Sequence, residues 1–209
     1  MTVLRKIAFY QGRRDEVPNQ ELARELAQAK DAQAIQEIAE NLWNKNQNIQ
    51  SDCLKVLYEL GYLAPELIAG YAGDFLELLR SQNNRLVWGS MIALGTIAGL
   101  CAKEIGPHLA EIQNAMEQGS VITVDNGVKV LADVAAGDPD QSQAIFPYLL
   151  NHLRTCRLKE IPQHSEKTLP AVTAENKAAF IEVLQKRLPQ LTDSQAARVK
   201  KVIKTAEIR

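Results

Sequence analysis

The 209-residue sequence has few of the residues from which reactive centres are commonly built. It holds three cysteines, three histidines and 5% aromatic residues. Cys53, Cys101 and Cys156 are odd in number and far apart. This excludes a disulfide framework and a CxxC metal site, and it favours a reducing, cytoplasmic setting. His108, His152 and His164 form no HExxH and no pair at i, i+4, so no helix face offers a metal two imidazoles. The low aromatic content is unfavourable to a platform of stacked bases. Gly89, Gly95 and Gly99 lie within one helical pattern with no strand before them, so they cannot form a phosphate loop. The most apolar run, Met91 to Ala102, is broken by two of these glycines and falls short of the roughly 20 residues needed to cross a bilayer. The apolar stretch Ile7–Tyr10 is too short for a signal peptide. No period-two strand pattern stands out. These absences predict an all-α protein without cofactor, metal or membrane partner.

What the sequence does contain is a repeat. A shift of 37 residues places Leu54 on Met91 and Val128, Leu57 on Leu94 and Leu131, and Leu60 on Ile97 and Val134. These positions are three and four apart, which is one face of a helix. A second series runs through Ile35, Ala72, Leu109 and Phe146, with Ile38, Phe75, Ile112 and Leu149 beside it. Each unit is therefore two amphipathic helices. Asn46, Asn83 and Ser120 obey the same shift just before the first helix, where their side chains can cap free N–H groups. Pro65 and Pro139 mark the turn between helices, with Ala102 at the intervening position.

The pattern predicts helices near 19–30, 32–43, 48–63, 66–80, 84–102, 107–118, 124–136 and 142–155. After an N-terminal segment of 1–16 and regular repeats over 17–155, residues 156–209 keep the theme but lose the spacing. There Leu169 and Val172 indicate a short, irregular helix, Phe180 to Leu188 its partner, and Ser194–Ala206 a capping helix.

The segment Asn84-Arg85-Leu86-Val87-Trp88-Gly89-Ser90-Met91-Ile92-Ala93-Leu94-Gly95 resembles the first helix of a HEAT or armadillo-like repeat, with its early basic residue and small Ala-Leu-Gly core. The resemblance extends over residues 17–191. It implies a right-handed α-solenoid of about five helical hairpins with irregular ends, whose second helices line a concave face that holds proteins or nucleic acids. Some HEAT-repeat hydroxylases bind iron through His-Glu dipeptides; here the histidines are followed by Leu, Leu and Ser, so that reading fails.

The near-neutral charge of −1 conceals a strong asymmetry: +4 over residues 1–14, −11 over 15–153 and +6 over 154–209. An acidic body repels a nucleic-acid duplex laid along it. The primary expectation is thus a non-enzymatic scaffold that binds a protein partner along its concave face. The alternative is a nucleic-acid binder or HEAT-like DNA-repair glycosylase using the basic C-terminal part, and a bilin-lyase-like helper is a distant third. Candidate contact residues are Arg80, Arg85 and Trp88, an aromatic among arginines that either grips an anion or fills the groove between units. A second group is His152, Arg154 and Arg157 around Cys156. Here the flanking arginines can lower a thiol pKa, and His152 one turn earlier is a conceivable base.

Overall fold

The computed structural model describes residues 2–209. Among these residues every regular element is helical. The long first helices are α3 (Gln47–Leu63), α5 (Asn84–Ile97) and α8 (Val121–Gly137), which begin at intervals of 37 residues. Each is started by its expected cap. Asn46 Oδ1 accepts the Asn48 N–H at 2.9 Å, Asn83 Oδ1 that of Arg85 at 3.0 Å, and Ser120 Oγ that of Thr123 at 3.4 Å. Before them come α1 (Val17–Ala29) and α2 (Ala32–Glu40).

The second half of each central unit is less regular than the periodicity predicts. The expected helix over 66–80 divides into two 3-10 turns, Pro65–Leu67 and Ala69–Tyr71, followed by α4 (Ala72–Leu78). The helix expected to run from 84 to 102 stops at Ile97, whose carbonyl accepts both the Leu100 and Cys101 N–H groups in a closing turn. Gly99 therefore lies outside the helix. A short α6 (Ala102–Ile105) and a 3-10 turn, Gly106–His108, lead into α7 (Leu109–Gln118). Pro107 removes a backbone donor where a helix continuous from α6 to α7 would need it, whereas Pro65 opens its 3-10 turn, a position where proline is tolerated. The C-terminal part comprises α9 (Pro139–Thr155), α10 (Ile161–Thr168), α11 (Lys177–Arg187) and α12 (Asp193–Glu207).

The helices form two layers. In one, α1, α3, α5 and α8 stack each on the next, and the row continues through α10 to α12. In the other, α2, α4, α7, α9 and α11 cover them, packing on α3, α5, α8, α8 and α12 respectively. Leu57, Phe75, Leu94, Leu131, Leu149 and Phe180 are fully enclosed or nearly so, within one apolar core that continues from Ile7 to Ala206. The chain is an all-α solenoid.

Residues before α1 are folded onto the stack. Ile7 is fully buried, the Ala8 N–H donates to Asn19 Oδ1 at 2.9 Å, and the Phe9 N–H donates to Asp52 Oδ2 at 2.7 Å. At the other end α12 buries Val199, Val202 and Ala206 and turns Lys200, Lys201 and Lys204 outward. No described helix is long and apolar enough to cross a membrane.

Candidate functional site

A groove of about 480 Å³ opens on the first-helix layer at its N-terminal end. One wall is the folded segment 8–16; the floor is α3 and α5. Its wall is pinned by Asp52, whose carboxylate accepts the Phe9 N–H and, at 2.9 Å, the amide of the buried Asn19. Lys55 pins the other side. Its side chain is 10% exposed, and Nζ bridges Glu16 at 2.8 Å and Glu59 at 2.7 Å while lying 4.7 Å from the centre of the Tyr58 ring. Burial works against its charge, but the two carboxylates prevail and raise its pKa above the ordinary lysine value.

Trp88 is half-buried. Its ring lies 6.3 Å from that of Tyr58, and it also borders the groove. Trp88 thus packs against α3 and also lines the groove. Beside it stand Arg85 and Arg14, both exposed, whose guanidinium groups have no acceptor among the described residues. The groove therefore offers an aromatic surface with two free cations, a combination suited to a carboxylate or phosphate next to an apolar group.

Arg80 is not part of this constellation. It lies in the turn after α4, and its Nη2 donates to Glu111 Oε1 at 2.7 Å. Glu111 also meets His108 Nδ1. Despite some desolvation, these two partners hold the Glu111 carboxyl below the usual carboxylate range.

The second predicted group divides as well. Arg157 is engaged locally, with Nε donating to Glu160 Oε1 at 2.8 Å. Arg154 is exposed and lends its carbonyl to Arg187, whose Nη2 also donates to the Cys156 carbonyl at 2.8 Å. His152 turns inward, where Nε2 lies 2.9 Å from Nδ1 of His164. His164 is fully buried, and its Nε2 lies 2.7 Å from Asp125 Oδ1. The residues missed from sequence are His164 and Asp125. Asp125 stands 37 residues after Trp88, at the equivalent position of the next first helix, and His164 lies on the helix stacked against it. The repeat register contained that signal.

Burial and the neighbouring His164 push His152 down to about 4. Burial drives the Cys156 thiol up to about 11, outweighing Arg187 and Arg157. The flanking arginines therefore do not produce a resting thiolate. Cys53 is buried, with its thiol pushed up to about 12 by burial, and Cys101 sits in the turn after α5.

No protein-family model and no curated relative matches the sequence. Solved structures do match its architecture, that of armadillo and HEAT-like helical repeats. An engineered protein superposes with a TM-score of 0.68 at 20% identity, covering 99% of this chain and 98% of its own. A designed armadillo repeat protein in complex with the peptide (KR)4 gives a TM-score of 0.66 at 15% identity, covering 88% of this chain and 86% of that one. The karyopherin Kap121p, bound to the SUMO protease Ulp1p, gives 0.65 at 12% identity; 95% of this chain is covered, but only 22% of that one. At these identities the likeness defines the fold: an armadillo/HEAT-like helical repeat.

Proposed function

We propose that this chain is a non-enzymatic helical-repeat scaffold that binds a protein partner by holding an extended, acidic segment of it in the groove formed by α3, α5 and the N-terminal wall. The observation that carries this reading is the grouping of Arg14, Arg85 and half-buried Trp88 on one open groove, with neither guanidinium bonded to an acceptor among the described residues. An acidic side chain between them gains charge-assisted hydrogen bonds worth about 1.5–3 kcal/mol each. An apolar neighbour covers the indole.

Two structural neighbours were solved with a peptide and with a protein bound, which supports a binding role for the same architecture. The peptide in the first is basic; free arginines in the present groove favour the opposite charge. The contact surface proposed here lies on the first-helix layer, whereas the sequence resemblance points to the second helices. A groove at the broken second helices, lined by Gly73, Glu104 and His108, is smaller, about 190 Å³, and Arg80 in it is already bound to Glu111.

Nucleic acid is the weaker partner. Residues 15–153 sum to −11, and several C-terminal cations are spent internally. Arg198 pairs with Glu166 at 2.7 Å, and Arg209 donates to the Leu169 carbonyl at 2.9 Å. Three free cysteines fit a reducing compartment, and the cytoplasm is the proposed location.

Selection from a random peptide display library tests the proposal. The wild-type chain should enrich Asp/Glu-containing peptides that the doubly reversed Arg14→Glu, Arg85→Glu chain releases. Enrichment of basic peptides, or equal retention by the reversed chain, would refute it.

A further inference from the structure

We propose that His152, Cys156 and His164 form a zinc-binding site at the junction of α8, α9 and α10, distinct from the groove and independent of its function. The His152 and His164 ring nitrogens and the Cys156 sulfur lie within 4.8 Å of one another. His152 and Cys156 are one turn apart at the end of α9, and His164 approaches from α10. Two imidazoles and a thiolate make a borderline-soft set that suits Zn²⁺, with Zn–N near about 2.0–2.1 Å and Zn–S near about 2.3 Å. Tetrahedral ligands at those lengths stand about 3.4–3.7 Å from one another, so small rotations of the partly exposed His152 and Cys156 side chains complete the site.

Asp125 supplies what a lone His/Cys group lacks. It faces Nε2 of His164 at 2.7 Å and is itself held by Gln163, whose amide donates to Oδ2 at 3.3 Å. A carboxylate behind the imidazole fixes the Nε2–H tautomer and leaves the Nδ1 lone pair directed at the ligand cluster, as in carboxylate–histidine–zinc triads. In that tautomer Nδ1 accepts the Nε2–H of His152 at 2.9 Å. Zinc takes the place of this shared proton. The proton moves to Nδ1 of His152, the Cys156 thiol releases its own to solvent, and the metal gains two nitrogen ligands and one sulfur ligand. Three protein ligands leave the fourth position to water. His152 and Cys156 are partly exposed and provide the entrance, whereas His164 forms the enclosed back of the site.

The test uses the full chain, stripped with chelator and dialysed against Zn²⁺ alone. One zinc per chain is expected, and Co²⁺ should give a tetrahedral spectrum with a thiolate charge-transfer band. Cys156→Ala and His152→Gln change side chains at the entrance, so both keep the helical circular dichroism while losing stoichiometric metal. Asp125→Asn should weaken zinc about 10- to 100-fold. His108→Ala removes the imidazole outside the cluster and should bind as wild type. Failure to take up one zinc, a cobalt spectrum without the thiolate band, or unchanged binding by Cys156→Ala would each overturn the proposal.

Discussion

Gly89 in α5 rests directly against Leu54 in α3: a β-carbon at position 89 would stand 2.6 Å from Leu54 Cδ2 and 3.1 Å from its Cγ. Leu54 is itself 2% exposed and has little room to withdraw. Gly95, two turns along the same helix, has only ordinary neighbours, the nearest being Lys129 Cδ at 3.7 Å. The two glycines therefore respond in opposite ways to one methyl group. Gly89→Ala overpacks the contact between units and should lose about 1 kcal/mol net, overpacking outweighing the gain in helix propensity. Gly95→Ala should gain about 0.5–1 kcal/mol from propensity alone. Urea unfolding of both variants checks the pair, and equal signs would refute the packing argument.

Asp52 ties Phe9 and Asn19 to α3 through two hydrogen bonds accepted by one carboxylate. Asp52→Ala leaves the buried Asn19 amide and the Phe9 N–H without that acceptor, costing about 1–3 kcal/mol. The larger effect should be local. Arg13 and Arg14 lie in the wall it pins, so trypsin should cut there several-fold faster in Asp52→Ala while the central helices resist. Unaltered cleavage would show that Asp52 does not hold the wall.

Ser90 is fully buried in α5, and its hydroxyl has no hydrogen-bond partner among the described residues. Removing an unsatisfied buried polar atom relieves a desolvation cost of about 1 kcal/mol or more, and alanine is the better helix former. Ser90→Ala should therefore raise the midpoint of urea unfolding. A marked fall would mean that the hydroxyl is satisfied in solution.

The first-helix layer was legible in the sequence because its determinants are local and periodic. Asn46, Asn83 and Ser120 start α3, α5 and α8 at the predicted positions, and Leu57, Leu94 and Leu131 enter the core together. The second helices were less legible. Their apolar faces persist through segments whose backbone divides into 3-10 turns, so the periodicity extends past the true ends. Arg85 and Trp88 share a groove because they lie one turn apart, but Arg80 is carried to the other layer by the intervening turn. The N-terminal wall leaves no periodic trace, since backbone N–H groups donating to the Asn19 and Asp52 side chains help hold it. The pairing of Asp125 with His164 spans 39 residues, close to the repeat length. The 37-residue register brings Asp125 to Pro162, two residues from His164.

The central claim is that Arg85 and Trp88 hold an acidic segment. It is tested most directly by titrating a display-selected acidic peptide into the Trp43→Phe chain, in which Trp88 is the sole remaining tryptophan. Trp43 lies on the surface and donates to Asp74, so its replacement leaves the groove intact. The account predicts a shift in Trp88 emission on binding, an affinity that falls with added salt, and at least about a tenfold loss on Arg85→Glu, since removing a charge-assisted contact costs about 1.5–3 kcal/mol. Binding without change in Trp88 emission, or with equal affinity in Arg85→Glu, would contradict it.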